Sequence, residues 1–233
     1  MALPKQSAPK YTCILPSDGR EVEFRPFLVK EQKVLMLAQQ EENEQAMFRA
    51  VQDLIEACTF DKIKAKLLPT IDMEYLFLKI RVKSVGETTT VNLTCHDPDC
   101  DGHGECTIDL DNVEVVGEHP DNKIMINDEI GVEFKYPTVA TVEQLQGLDE
   151  ATSSLEMLKL CMVNIFDSTE IYSVNDSPTA ELDEFIDNLS VQQLEDLAEF
   201  FNSIPRLEED VDTECVKCEK KISKKITGIQ GFF

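Results

Sequence analysis

Two cysteine pairs constrain this chain of 233 residues more than any other feature: Cys95-His96-Asp97-Pro98-Asp99-Cys100 in a polar stretch, and Cys215-Val216-Lys217-Cys218 near the C-terminus. Structural zinc sites take four thiolate or imidazole ligands, often delivered as two short turns that each aim two sulfurs at one ion. The second pair has the common two-residue spacing, and the first has a looser four-residue spacing with a turn-making proline. A thiol destined for the core belongs on an apolar stripe, whereas each of these pairs lies in a polar turn beside a strand-like segment. The expected site is therefore Cys95, Cys100, Cys215 and Cys218 around one structural zinc ion, tying together residues more than a hundred apart. In the loop-closure description such a tie removes about 4 to 5 kcal/mol of denatured-chain entropy.

Three other arrangements remain open on sequence. Cys95, Cys100, His103 and Cys106 supply four ligands from twelve residues, but that set leaves Cys215 and Cys218 without a role. Alternatively Cys106 replaces Cys100 in the split site, or the thiols are unrelated. His96 and His119 read as surface residues rather than ligands. A closed thiolate shell has no open coordination position, and the chain has no Gly-rich phosphate loop, zinc-protease helix motif or nucleophile elbow, so no enzymatic activity is expected.

Charge narrows the partners. Acidic residues outnumber basic ones 45 to 22, a formal charge of -23, and such a surface repels a phosphate backbone. Nucleic acid is not expected as a partner. No apolar run approaches the roughly 20 residues that span a bilayer, and the first residues lack a signal-peptide core, which points to folding in a cytoplasm with reduced thiols. Lys217, Lys220, Lys221, Lys224 and Lys225 depart from the acidic trend. They read either as a solvated surface or as a docking face for an acidic partner.

Along the chain, Tyr11 to Leu15 and Glu21 to Phe24 form a hairpin about Pro16-Ser17-Asp18-Gly19, where Pro and Gly supply the turn dihedrals. Leu28 to about Gln40 reads as a helix. Ala46, Met47, Ala50, Val51, Leu54, Ile55 and Cys58 mark a second, and a third runs from Thr70, as its cap, to Gly86. Between Thr88 and Tyr136, β-branched alternation predicts a small antiparallel sheet interrupted by the first cysteine cluster. Beyond Pro137 the period returns to helical. Leu155, Leu158, Met162 and Ile165 form one stripe; Ser177-Pro178 opens another helix, and a capping box at Ser190 to Gln193 a last one. The acidic run Glu208 to Glu214 reads as a linker.

The resulting class is α+β: an N-terminal hairpin and helices (1–87), a small antiparallel sheet carrying one half of a zinc-ribbon-like knuckle pair (88–136), a helical segment (137–207), and an acidic linker with the second knuckle returning to the sheet (208–233). The chain ends in Gly231-Phe232-Phe233, an aromatic pair that packs on its own core or enters a partner.

Several of these residues resemble a known family. Tyr11, Leu15-Pro16-Ser17, Gly19, Glu21, Phe24-Arg25-Pro26-Phe27 and Lys30-Glu31-Gln32-Lys33 are similar to the opening of the baseplate hub and assembly proteins of T-even-like contractile-tailed phages. The two-residue knuckle followed by Gly231-Phe232-Phe233 resembles their ending, and Leu67 to Val85 with the sheet after it fits in order and length. Cys106 and the wide first knuckle depart from the pattern. The resemblance implies a non-enzymatic hub subunit or assembly chaperone that binds other tail hub proteins, in the host cytoplasm during assembly or in the virion baseplate. A zinc-ribbon adaptor binding a host machine such as the transcription apparatus is the competing expectation.

Overall fold

A computed structural model of the chain describes residues 8–41 and 44–228. Strands β1 (Tyr11–Ile14) and β2 (Glu21–Phe24) pair antiparallel with Ile14 opposite Glu21. Their turn is closed by the Leu15 amide on the Arg20 carbonyl at 2.9 Å, and Gly19 adopts the left-handed φ of 70° that the tight return requires. Helices α1 (Val29–Gln40) and α2 (Glu44–Cys58) follow, and α2 buries Ala50, Val51, Leu54, Ile55 and Cys58 as its period of three and four dictates.

Helix α3 (Thr70–Val85) starts one residue earlier than a cap at Thr70 would place it, with Pro69 in the cap position. It buries residues around most of its circumference, as a helix with apolar positions on every side must. Ile71, Leu78 and Val82 face the β-rich core, while Asp72 in the first turn accepts the Ser17 amide at 2.9 Å and also its hydroxyl, pinning the hairpin turn to the helix start. Strands β3 (Thr88–Thr94) and β4 (His103–Asp109) then form a hairpin whose loop carries Cys95 and Cys100, and β5 (Glu114–Val116) ends this part of the chain.

Residues 117–205 form a second compact unit with its own core. Here β6 (Lys123–Met125), β7 (Gly131–Phe134), α4 (Val139–Leu145), α5 (Glu150–Cys161), β8 (Met162–Phe166), β9 (Ile171–Ser173), α6 (Thr179–Asp187) and α7 (Val191–Ser203) succeed one another. The four strands make one antiparallel sheet in the order β6-β7-β8-β9. Phe134 stacks on Phe200 with ring centroids 5.3 Å apart, among buried Val132, Leu158, Met162 and Leu197. Ser190 caps α7 through a reciprocal box with Gln193, as the sequence predicts.

The chain then returns to the first unit as β10 (Arg206–Glu214) and β11 (Lys221–Thr227), which extend β5 into a sheet ordered β11-β10-β5. The compact units thus meet in sequence at residues 116/117 and 205/206, and the expected boundary after Tyr136 falls inside the second of them.

Three local expectations differ from the structure. Residues 88–136 do not build one sheet: β3 and β4 pair with each other, while β6 and β7 join β8 and β9. The stripe Leu155, Leu158, Met162 and Ile165 is broken after Cys161, where Met162 turns extended and Val163 to Phe166 continue as a strand. Residues 206–214 are a strand and not a linker, because Leu207, Val211 and Cys215 recur at even spacing and point into the core. Phe232 and Phe233 lie outside the described residues.

Candidate metal centre

The loop between β3 and β4 and the turn between β10 and β11 are drawn together by backbone geometry before any side chain is considered. The Cys95 amide bonds the Gly102 carbonyl at 2.9 Å and the Cys100 amide the Asp97 carbonyl at 3.0 Å, folding the first loop into a turn. In the second, the Cys215 amide meets the Lys220 carbonyl and the Glu219 amide the Cys215 carbonyl, both at 2.9 Å. A bond of 2.9 Å from the Val216 amide to the His103 carbonyl joins the two turns, and the Thr213 hydroxyl reaches the Glu105 carbonyl at 2.7 Å.

All four predicted sulfurs converge. One ligand atom from each of Cys95, Cys100, Cys215 and Cys218 lies within 4.8 Å of every other. Cys95 and Cys218 approach to 3.6 Å, and Cys100 and Cys215 to 3.7 Å, with all four thiols free. Those separations far exceed a disulfide bond of about 2.05 Å. They match the edge of a tetrahedron with metal–sulfur bonds of about 2.3 Å, which works out at about 3.8 Å. The donor set and spacing therefore fit a soft, tetrahedrally coordinated cation.

Neither alternative ligand joins the cluster. Cys106 lies opposite Val91 in the β3–β4 ladder, with its thiol 3.9 Å from the Thr107 carbonyl, and His103 lies opposite Thr94 with its side chain exposed. His96 turns to the Ser223 carbonyl at 3.3 Å, and His119 to the Tyr136 hydroxyl at 3.0 Å. Cys58 and Cys161 are buried elsewhere, where desolvation pushes their thiols up to about 11 and about 12.

The cysteine cluster has a different electrostatic character. Amides of Cys218 and Lys217 directed at the Cys215 sulfur pull that thiol down to about 6. At Cys100 the Gly102 amide acts in the same direction, at 3.4 Å, but desolvation and the neighbouring thiols of Cys218, Cys215 and Cys95 raise it to about 12. Four thiols held this close cannot all ionise without a cation among them, since each added negative charge opposes the next.

Two glycines make the approach possible, and sequence reasoning did not single them out. A Cβ on Gly102 would lie 2.5 Å from the Cys215 sulfur, and one on Gly104 would lie 2.6 Å from the Glu214 carbonyl oxygen. The sequence signal is Asp101-Gly102-His103-Gly104, small residues alternating just beyond the first cysteine pair. The lysines around the second knuckle turn inward to the chain's own carboxylates: Lys217 to Asp101, Lys220 to Asp97, Lys221 to Asp212 and Lys225 to Glu208. Four of the five cations of the expected docking face thus have intramolecular partners.

Comparison with known families settles what kind of protein carries this cluster. A family model described as T4 bacteriophage base plate protein matches residues 8–233. The chain belongs to the T4 base plate protein family. No curated protein and no solved structure matches it. The matched span runs from the N-terminal hairpin through both cysteine pairs, so both compact units fall within the base plate family, whose place is the phage tail. Among the described residues of this base plate protein, no helix is long and apolar enough to cross a membrane.

Proposed function

We propose that this base plate protein is a non-enzymatic component of the central hub, acting as an assembly factor or structural subunit, in which Cys95, Cys100, Cys215 and Cys218 hold one structural zinc ion. The observation that carries the reading is the approach of four sulfurs, from turns more than a hundred residues apart in a base plate family member, to distances that suit a single tetrahedral ion. Zinc is the favoured metal because four thiolates satisfy its usual closed structural shell. A bound ion supplies a cross-link there and leaves no position for an activated water. The residues around it do the rest: Gly102 and Gly104 admit the second turn, and Val216 and Thr213 fix it to β4.

The partners that follow are other hub proteins of the tail, met in the host cytoplasm during assembly. Internal pairing of four knuckle lysines counts against the zinc-ribbon adaptor reading, which needs those cations for a host machine. Elemental analysis of the purified protein and affinity capture from infected cells test the proposal together. One zinc per chain and recovery of tail hub proteins are expected. Metal-free protein with four reactive thiols would overturn the zinc site, and recovery of host polymerase subunits without tail proteins would overturn the hub role. Quantifying the chain in purified virions against infected-cell lysate separates a subunit from an assembly factor.

A further inference from the structure

The charge of the chain is unevenly placed. Residues 117–205 contain 19 Asp and Glu against 3 Lys and Arg, giving this unit -16 of the total of -23. Two of its three lysines already have partners. Lys159 is held by Asp183 at 2.7 Å and Glu156 at 3.1 Å, and Lys123 sits over the Phe166 ring at 6.0 Å.

Within this acidic unit, α6 borders a groove whose first opening is mainly apolar and whose second mixes Ile126, Ile130, Phe185 and Leu189 with amides and carboxylates. One opening of about 270 Å³ has Ile165, Phe166, Val174, Leu182 and Phe185 among its walls, with Asp167 and Glu181 beside them. A second, of about 400 Å³, continues along the helix past Glu184 to Leu189 and Gln193, and the two share Ile130, Glu181 and Phe185. The shared walls set the two openings side by side, from Glu181 on α6 to Leu189 just beyond its end. Glu181 and Glu184 have no ion-pair partner among the described residues, and neither opening is lined by a lysine or arginine. Beside the groove, β9 is the free edge of its sheet and leaves Tyr172 substantially exposed.

We propose that this groove docks a Lys/Arg-rich segment of another tail protein, which buries two apolar side chains in the successive openings while its cations meet Glu181, Glu184 and Asp167. The inference rests on the reading of the chain as a binder of other tail proteins, and it adds where and by what chemistry. A groove with apolar walls in each opening and carboxylates beside them, in a strongly acidic unit, selects a partner that is apolar on one side and cationic on the other. Nucleic acid is repelled by the same field, and a second copy of this chain brings another acidic unit to the same place.

A photo-crosslinking amino acid at Asn188, which lines the second opening, tests the assignment in infected cells. The crosslinked peptide is identified by mass spectrometry. The expected product is a tail-protein segment with net positive charge and at least two apolar residues. Glu181→Lys combined with Glu184→Lys should lower its yield at least about tenfold, since like charges then face each other. Circular dichroism and cysteine alkylation of that variant should be unchanged. Crosslinks to an acidic or neutral segment, to this chain itself or to nucleic acid would overturn the proposal, as would an unaltered yield in the double variant. Tail proteins recovered by affinity capture without any crosslink at Asn188 sink the groove and leave the hub role standing, whereas no tail protein by either route sinks both.

Discussion

Removal of the proposed ion, by chelation or by Cys218→Ser, should destabilise one compact unit and spare the other, by an amount that the connectivity sets. Cys100 and Cys215 are 115 residues apart in sequence. Cross-linking a fully flexible loop of that length is worth about 4.8 kcal/mol in the chain-entropy relation. Residues 117–205, however, have their own core, and their ends adjoin: a Cβ on Gly117 would lie 3.0 Å from the Pro205 Cα. While that unit stays folded, only about 27 residues of the loop are free, and the same relation gives about 3.5 kcal/mol. The expected loss is therefore about 3.5 to 5 kcal/mol, a large share of the 5 to 15 kcal/mol typical of a domain. Hydrogen exchange in increasing urea reads it segment by segment. Protection should fall in β3, β4, β10 and β11 and persist in β7, β8 and α7. Equal loss in both units, no loss in β10 and β11, or the same effect from Cys106→Ser would refute the reasoning.

Three further outcomes follow from particular contacts. Gly104→Ala places a methyl against the Glu214 backbone and should cost about 1 to 3 kcal/mol, read as faster exchange of the Val216 amide that bonds His103. Phe134→Ala removes a ring that is 1% exposed and stacked on Phe200; it should cost about 3 to 5 kcal/mol in residues 117–205 while cysteine alkylation rates stay unchanged. Burial alone would raise the Glu31 carboxyl, but hydrogen bonds from Arg25, the Leu28 amide and Lys30 outweigh it and hold the group below its ordinary value. Its stabilising contribution is complete above the unfolded-state value and is lost as pH falls through the lower folded-state one. Glu31→Gln should therefore cost about 2 kcal/mol near neutral pH and flatten that part of the acid unfolding curve, measured by thermal melts across pH.

Local chemistry was readable from the residues; pairing across long separations was less so. The first hairpin follows from Pro16 and Gly19, and the start of α7 from Ser190 and Gln193, because each depends on neighbours within a few residues. Convergence of the four thiols was also legible, since two polar cysteine turns have few other uses. The strand β10 was hidden because five carboxylates between Glu208 and Glu214 dominate its composition and read as a solvated linker. Its alternation shows only when Leu207, Val211 and Cys215 are taken together, and its carboxylates are offset by Lys221 and Lys225 on a strand that sequence places later. The end of α5 was hidden for the opposite reason. Met162 and Ile165 continue a helical stripe by spacing, yet both pair as strand residues, Met162 opposite Phe134 and Ile165 opposite Val132, with Asp167 accepting the Thr169 and Glu170 amides to turn the chain. Which sheet β6 and β7 join depends on β8, which comes 28 residues after β7, a choice no local window contains.

The course of β10 shows what the proposed cross-link at the second knuckle would add to the unit. Its first residues are held by β5, with Arg206 opposite Val116, so the points where the chain leaves for residues 117–205 and returns are locked in register side by side. Its far end loses β5, which stops at Glu114 opposite Glu208, and is held instead by β11 and by two bonds to β4, from the Thr213 hydroxyl to the Glu105 carbonyl and from the Val216 amide to the His103 carbonyl. β11 is the outer strand of that sheet and rich in lysine, yet it and β10 bury Val211, Ile222 and Ile226 in the core. The proposed tie at Cys215 and Cys218 would reinforce those two bonds to β4, and it would fasten both strands at once because the turn between them carries both thiols. Because residues 117–205 have their own core, charge reversal along α6 and loss of a knuckle thiol should act independently and combine additively in stability measurements.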